Sequence, residues 1–215
     1  MNSLGTRALK IHERLLEFYG EPIWRNPLPA IDELVSTILS QNTNDLNRDR
    51  AFNALRAKFE TWEEVRDADA LDVVNAIRPA GLANQKGPRI QQVLRSITEE
   101  RGNLDLSFLG DLSVDEAKLW LTKFNGVGPK TAAIVLCFSL GKPAFPVDTH
   151  IHRLMTQWKL TSGKNVVETE RDAKSLFPEE VWNKLHLQII FYGREYSPAR
   201  GKGEKDFITK MMFEK

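Results

Sequence analysis

Residues 121–152 read LTKFNGVGPKTAAIVLCFSLGKPAFPVDTHIH, and the placing of glycine and proline in this stretch decides the fold. Gly126 and Gly128 flank a single residue, which permits a tight turn at positive φ and a close approach of another molecule to the backbone. Pro129 suits the first position of a helix. After its first turn that helix, predicted over Pro129 to Leu140, is almost wholly apolar, so it should be buried with Cys137 as a small core residue. A helix start whose amides point past glycines is an anion site, phosphate first among the candidates. A purely structural turn between two helices would show the same spacing. A dinucleotide loop would need a third glycine where Thr131 stands and a preceding strand, and no G-x4-G-K-[ST] element exists in the chain.

Two residues in the stretch carry chemistry. Lys130 stands at the helix entrance, where the positive end of the macrodipole disfavours an ammonium group. Dipole, burial and nearby cations together favour the neutral amine that a nucleophilic lysine needs. A lysine whose stem merely lies over the helix end, with its head in water, would be written the same way. Asp148, in Pro146-Val147-Asp148-Thr149-His150, precedes an amphipathic helix and is a natural N-cap. A carboxylate so held stays ionised, and can stabilise a cation or handle protons. His150 and His152 are two apart and point to different helix sides, which argues against a zinc pair.

Outward from this segment, apolar residues recur at helical spacing and strand-like alternation is scarce, so the fold is expected to be all-α. Helices are predicted over Thr6–Tyr19, Ile31–Gln41, Asn47–Phe59, Ala70–Ile77, Pro88–Glu100, Thr149–Lys159, Val166–Leu176 and Pro178–Tyr192. Thr61-Trp62-Glu63-Glu64 and Ser113-Val114-Asp115-Glu116 read as capping boxes that open two more. About eleven short helices follow, without low-complexity linkers or internal repeats. The polar, basic segment Ser197–Lys205 is expected to be an exposed loop.

The chain has 215 residues, 30 Lys+Arg against 29 Asp+Glu, 41% hydrophobic residues and one cysteine. That composition suits one large or two small domains and excludes disordered, collagen-like and coiled-coil chains. A single thiol allows neither an intrachain disulfide nor a cysteine-rich metal site. The N-terminal stretch lacks an apolar signal region, and no run approaches about 18 apolar residues, so a soluble, unexported protein is expected. The formal net charge of +1 hides an asymmetry. Glu60–Asp72 holds six carboxylates against Arg66, whereas Lys123–Lys164 holds six Lys/Arg against Asp148. The acidic run reads as a solvated face; the basic stretch contains the glycine turn.

Leu121–Leu136 followed by Val147-Asp148-Thr149-His150 resembles the helix-hairpin-helix motif and downstream aspartate of the endonuclease III group of DNA glycosylases. Ile38–Asp45 (ILSQNTND) resembles that group's early helix and loop, and Ala80–Lys86 (AGLANQK) its second intercalating loop. The resemblance covers roughly residues 30–195. It implies two helical domains, a six-helix bundle over 28–138 and a second domain from 1–27 with 139–215, and DNA bound across the groove between them. By motif position Lys130 corresponds to the nucleophile and Asp148 to the catalytic carboxylate. Gly126, Val127, Gly128 and Thr131 in the hairpin, with His150, are expected DNA contacts. Leu82 and either Gln41 or Asn42 would fill the gap left by a flipped nucleotide.

Relatives commonly end in four cysteines holding a [4Fe–4S] cluster. Tyr196–Lys202 has none, so neither the cluster nor any other cofactor or metal is expected. Arg194, Arg200, Lys202 and Lys205 are candidates to contact the DNA backbone instead. The implied activity is excision of a base from damaged double-stranded DNA with AP lyase action, by a monomer in the cytoplasm at the nucleoid, without membrane association. Oxidised pyrimidines are the first substrate expected, since a lysine at this position argues against the monofunctional branches. 8-oxoguanine and mismatched or deaminated pyrimidines are the alternatives. A non-catalytic helix-hairpin-helix module that only binds DNA is the reading from another class; the presence of both Lys130 and Asp148 speaks against it.

Overall fold

Ser3, Asn44, Thr61, Asp69, Ser113, Asp148 and Asn165 each turn a side-chain oxygen onto an amide at a helix start. These caps satisfy donors that a helix cannot satisfy itself, and they set the punctuation of the fold. Both expected capping boxes are complete, with Glu64 and Glu116 reaching back to the cap amides. The computed structural model describes residues 3–23, 27–198 and 206–213, which are helical with no strand. Among them no helix is long and apolar enough to cross a membrane.

The chain divides into two compact units, Leu28–Lys142 and Met1–Pro27 with Pro143–Lys215. The division falls a few residues beyond the position expected from sequence. The buried helix runs on through a π-helical segment to Ser139, and the Lys142 amide bonds back to the Leu136 carbonyl at 2.9 Å.

The central unit holds α2 (Ala30–Ser40), α3 (Asp45–Lys58), α4 (Trp62–Asp67), α5 (Ala70–Ala76), α6 (Ala83–Arg101), α7 (Val114–Thr122) and α8 (Pro129–Ile134). The acidic run forms α4 and α5 as two helices, as expected, with Asp69 capping the second. α2 is buried over most of its surface and packs on α3, α6 and α8, with Leu34, Val35, Ile38 and Leu39 in the core together with the polar Glu33, Ser36 and Thr37. The segment after α8 closes the core with Val135, Leu136, Cys137 and Phe138. Burial pushes the Cys137 thiol up to about 12, so it is inert packing rather than a nucleophile.

α6 departs from the sequence reading. It begins at Ala83, not Pro88, and carries the proline in its interior. The lost amide would have met the Asn84 carbonyl, on the exposed first turn. Tertiary contacts hold that turn in place: Gly87 lies so close to α5 that an added Cβ would stand 2.9 Å from a Val74 methyl.

The second unit combines α1 (Leu4–Tyr19) with α9 (Thr149–Gln157), α10 (Val166–Leu176), α11 (Trp182–Glu195) and α12 (Phe207–Phe213). Its core includes Ile11, Leu15, Phe145, Leu154, Trp158, Leu185 and Tyr192. The Tyr192 hydroxyl donates to Asp206 Oδ1 at 2.6 Å and accepts the Ile208 amide at 3.0 Å. Gln157 donates to the other Asp206 oxygen at 3.0 Å, and Tyr192, Tyr196 and Phe207 pack ring on ring. α12, which the sequence reading missed, is fastened by these contacts. Ser197 was expected in an exposed loop but is buried: Arg153 donates from both guanidinium nitrogens to its hydroxyl and carbonyl oxygens.

Candidate functional site

The hairpin turn follows α7. The Val127 amide donates to the Phe124 carbonyl at 3.0 Å, Gly126 takes φ +95°, and extended Gly128 precedes Pro129 at the first position of α8. The two glycines serve different ends. A Cβ on Gly128 would meet nothing within 4 Å, whereas one on Gly126 would lie 2.2 Å from Arg89 Cδ and 2.6 Å from Cγ. Arg89 Nη1 donates to Gln41 Oε1 at 3.2 Å, and Gln41 Nε2 donates to the Gly126 carbonyl at 3.3 Å. Gly126 is thus required both by its backbone and by a side chain lying across it. We expect Gly126→Ala to destabilise the fold by about 1–3 kcal/mol in chemical denaturation. Gly126→Ala combined with Arg89→Ala should recover the steric part and not the φ part; full recovery would mean that the positive φ carries no cost.

Lys130 is the second residue of α8 and is only partly buried, less than its place in an apolar helix suggested. The Val127 side chain is buried and its amide donates to the Phe124 carbonyl, which supports the turn; Thr131 is buried as well.

Gln41 and Asn42 separate cleanly. Gln41 is half-buried in the clamp with Arg89 and Gly126, while Asn42 is exposed at φ 55°. Leu82 is 48% exposed at φ 51°, beside Gly81 at φ 66°. Among the described residues only Asn42, Leu82 and Lys159 are non-glycine residues with positive φ. A left-handed backbone is costly for leucine, which lacks glycine's freedom there.

Beneath these two loops lies Lys86, whose sequence neighbours predict a loop. Lys86 is 1% exposed, and its Nζ donates to the carbonyls of Leu39 and Ala80, each at 2.8 Å. Both carbonyls sit at helix ends that lack intrahelical donors and carry negative dipole charge. Either one left unpaired would cost about 1–3 kcal/mol. Burial pulls the Lys86 ammonium below its ordinary range. One signal was present in the sequence: Lys86 shares the spacing of Ile90, Val93, Leu94 and Ile97, the buried stripe of α6.

In the other unit Asp148 is the N-cap of α9, its Oδ1 accepting the amides of His150 and Ile151 at 2.9 Å each. Two amide N–H donors on one oxygen fix the orientation of the carboxylate. The His150 ring packs on Gly193 of α11, where a Cβ would stand 3.4 Å from Nδ1. His152 Nδ1 is 2.7 Å from Thr169 Oγ1, a structural partner. No group of three or more potential metal ligands occurs among the described residues. Arg194 is exposed in the last turn of α11; Arg200, Lys202 and Lys205 lie outside the described residues.

The family described as HhH-GPD superfamily base excision DNA repair protein matches residues 35–179, a span that includes Lys130 and Asp148. A relative from Arabidopsis thaliana, provisionally named a DNA glycosylase, is 46% identical over 168 residues, 77% of this chain. The match spans only 57% of that relative's length. Endonuclease III of Thermotoga maritima is 34% identical over 190 residues, covering 80% of this chain and 85% of the relative. A solved non-covalent endonuclease III–DNA complex superposes with a TM-score of 0.77 over 94% of this chain and 90% of that one, at 24% identity; this likeness establishes the fold.

Proposed function

Because this chain belongs to the HhH-GPD superfamily of base excision DNA repair proteins, we propose that it is a DNA glycosylase with AP lyase activity acting on oxidised pyrimidines in duplex DNA. The observations that carry the reading are a lysine at the entrance of the hairpin's second helix and, in the other unit, an amide-held carboxylate at the start of α9, each taken by itself. A base inside a duplex is out of reach of any side chain, so the nucleotide must be extruded at a cost of about a few kcal/mol. Asn42 and Leu82 fill the gap, a role suited to exposed side chains on constrained backbone. Of the two candidates in the first loop, Gln41 is held by Arg89 and Gly126, which supports Asn42.

As the bond between C1′ and the base breaks, the base departs with the bonding electrons and the sugar becomes cationic. Asp148 stabilises that charge. Lys130 Nζ, as the neutral amine, forms the new bond to C1′, and loss of its proton and opening of the sugar give a Schiff base. Removal of a proton from C2′ then expels the 3′ phosphate, leaving an unsaturated aldehyde on one side of the nick after hydrolysis. Gly126 and Gly128 hold a backbone phosphate at the hairpin. Basic residues at the end of α11 and in the segment that follows add phosphate contacts.

The residues present do not fit a [4Fe–4S] cluster. Four thiolates are needed, while the chain has Cys137 alone, packed in the core of the central unit. The proposed enzyme works without it; the contacts of Asp206 with Tyr192 and Gln157 hold the start of α12 against α11 and α9.

The reading is tested with duplexes carrying single lesions: oxidised pyrimidines, 8-oxoguanine and mismatched or deaminated pyrimidines. Strand cleavage fastest on an oxidised pyrimidine, with borohydride trapping of a covalent complex, is the expected outcome. Cleavage of none of them overturns the enzyme assignment, and cleavage without trapping overturns the Schiff base.

A further inference from the structure

α6 enters the central unit beneath two loops at once, and its first two turns touch both. Lys86 Nζ bonds the carbonyl of Leu39, three residues before Asn42, and the carbonyl of Ala80, two residues before Leu82. One turn later, on the same side of the helix, Arg89 bonds Gln41 and lies across Gly126. The left-handed residues Asn42 and Leu82 therefore leave the fold from points pinned to a common helix, and the hairpin turn is tied to the first of those points.

Nothing in the chemistry of bond cleavage requires this arrangement, because neither side chain belongs to the reacting set. A plug inserted into a base stack, by contrast, works only if both of its parts arrive in register, and misplacement by about 1 Å can cost about 100-fold in rate. We propose that Lys86 and Arg89 are positioning residues that hold Asn42 and Leu82 in register with each other and with the Gly126 turn, and that they act in opening a paired lesion and not in breaking its glycosidic bond. The inference rests on the glycosylase reading above.

The test uses the full chain and its Lys86→Met and Arg89→Met variants under single-turnover conditions. Each is given the same oxidised pyrimidine either paired in a duplex or inside a short unpaired bubble. Excision of the paired lesion is expected to fall by about 10- to 100-fold, and that of the unpaired lesion by less than about threefold, since little unstacking remains to be done. A 2-aminopurine placed opposite a stable abasic analogue should brighten when wild type binds and stay dim with the variants. Equal losses on both substrates would assign the two residues a merely structural role and overturn the proposal, as would an unchanged rate on the paired lesion. Arg89 is partly exposed, so Arg89→Met decides the matter even if Lys86→Met does not fold. A wild type inactive on every substrate would instead count against the glycosylase reading itself.

Discussion

Lys130→Gln is expected to reduce strand cleavage by at least about 10³-fold, equivalent to about 4 kcal/mol of transition-state stabilisation. It should also abolish borohydride trapping, both on a duplex bearing the damaged base and on one bearing an abasic site. The amide cannot form a bond to C1′ that survives as an imine, so the covalent route closes whichever substrate is offered. Stability should stay within about 1 kcal/mol of wild type, because a cation at the positive end of a helix dipole is locally unfavourable and its removal costs the fold little. Melting curves and cleavage rates on the same preparations check both halves. A variant that still traps on an abasic site would show that another amine is the nucleophile.

Asp148→Asn separates the two bond-breaking steps. The Asn side-chain oxygen can accept the same amides of His150 and Ile151 that Asp148 accepts now, and Asn caps helices about as well as Asp. α9 should therefore keep its start. What is lost is the charge opposite a cationic sugar, for which about 10²- to 10³-fold in base excision is expected. On a duplex already lacking the base that requirement disappears, and trapping by Lys130 should persist at a rate far closer to wild type. Loss of equal size on both substrates would mean that Asp148 acts on the later steps, or on folding, and not on departure of the base. Against both variants, the non-catalytic DNA-binding alternative predicts no cleavage to lose.

The elements legible in the sequence are those whose causes are local. Thr61 and Ser113 close capping boxes with carboxylates three residues away, Asp148 caps amides two and three residues on, and Pro129 starts the helix it was expected to start. These interactions are complete within one turn, so residue type and spacing suffice. Helical periodicity likewise identifies α2 as core and the apolar run after Pro129 as buried. Where local rules were followed and failed, the contact that prevailed was distant. Pro88 reads as a first helical residue, yet packing of Gly87 on Val74 and anchorage of Lys86 extend α6 five residues upstream. Ser197 reads as the start of a polar loop, yet Arg153, 44 residues away, draws it into the interior.

The sequence alone thus determined an all-helical chain, its hairpin, and the lysine and aspartate on which the chemistry is proposed to rest. The glycine turn, the helix entrance and the cap are each written in a handful of consecutive residues. The tertiary structure alone drew Gln41 into a clamp with Arg89 and Gly126 while Asn42 stayed exposed, and placed a buried ammonium under both loops. Those outcomes depend on partners 47, 48 and 85 residues apart. The propensities of one segment carry no information about which distant carbonyl or side chain will meet it until the core has closed.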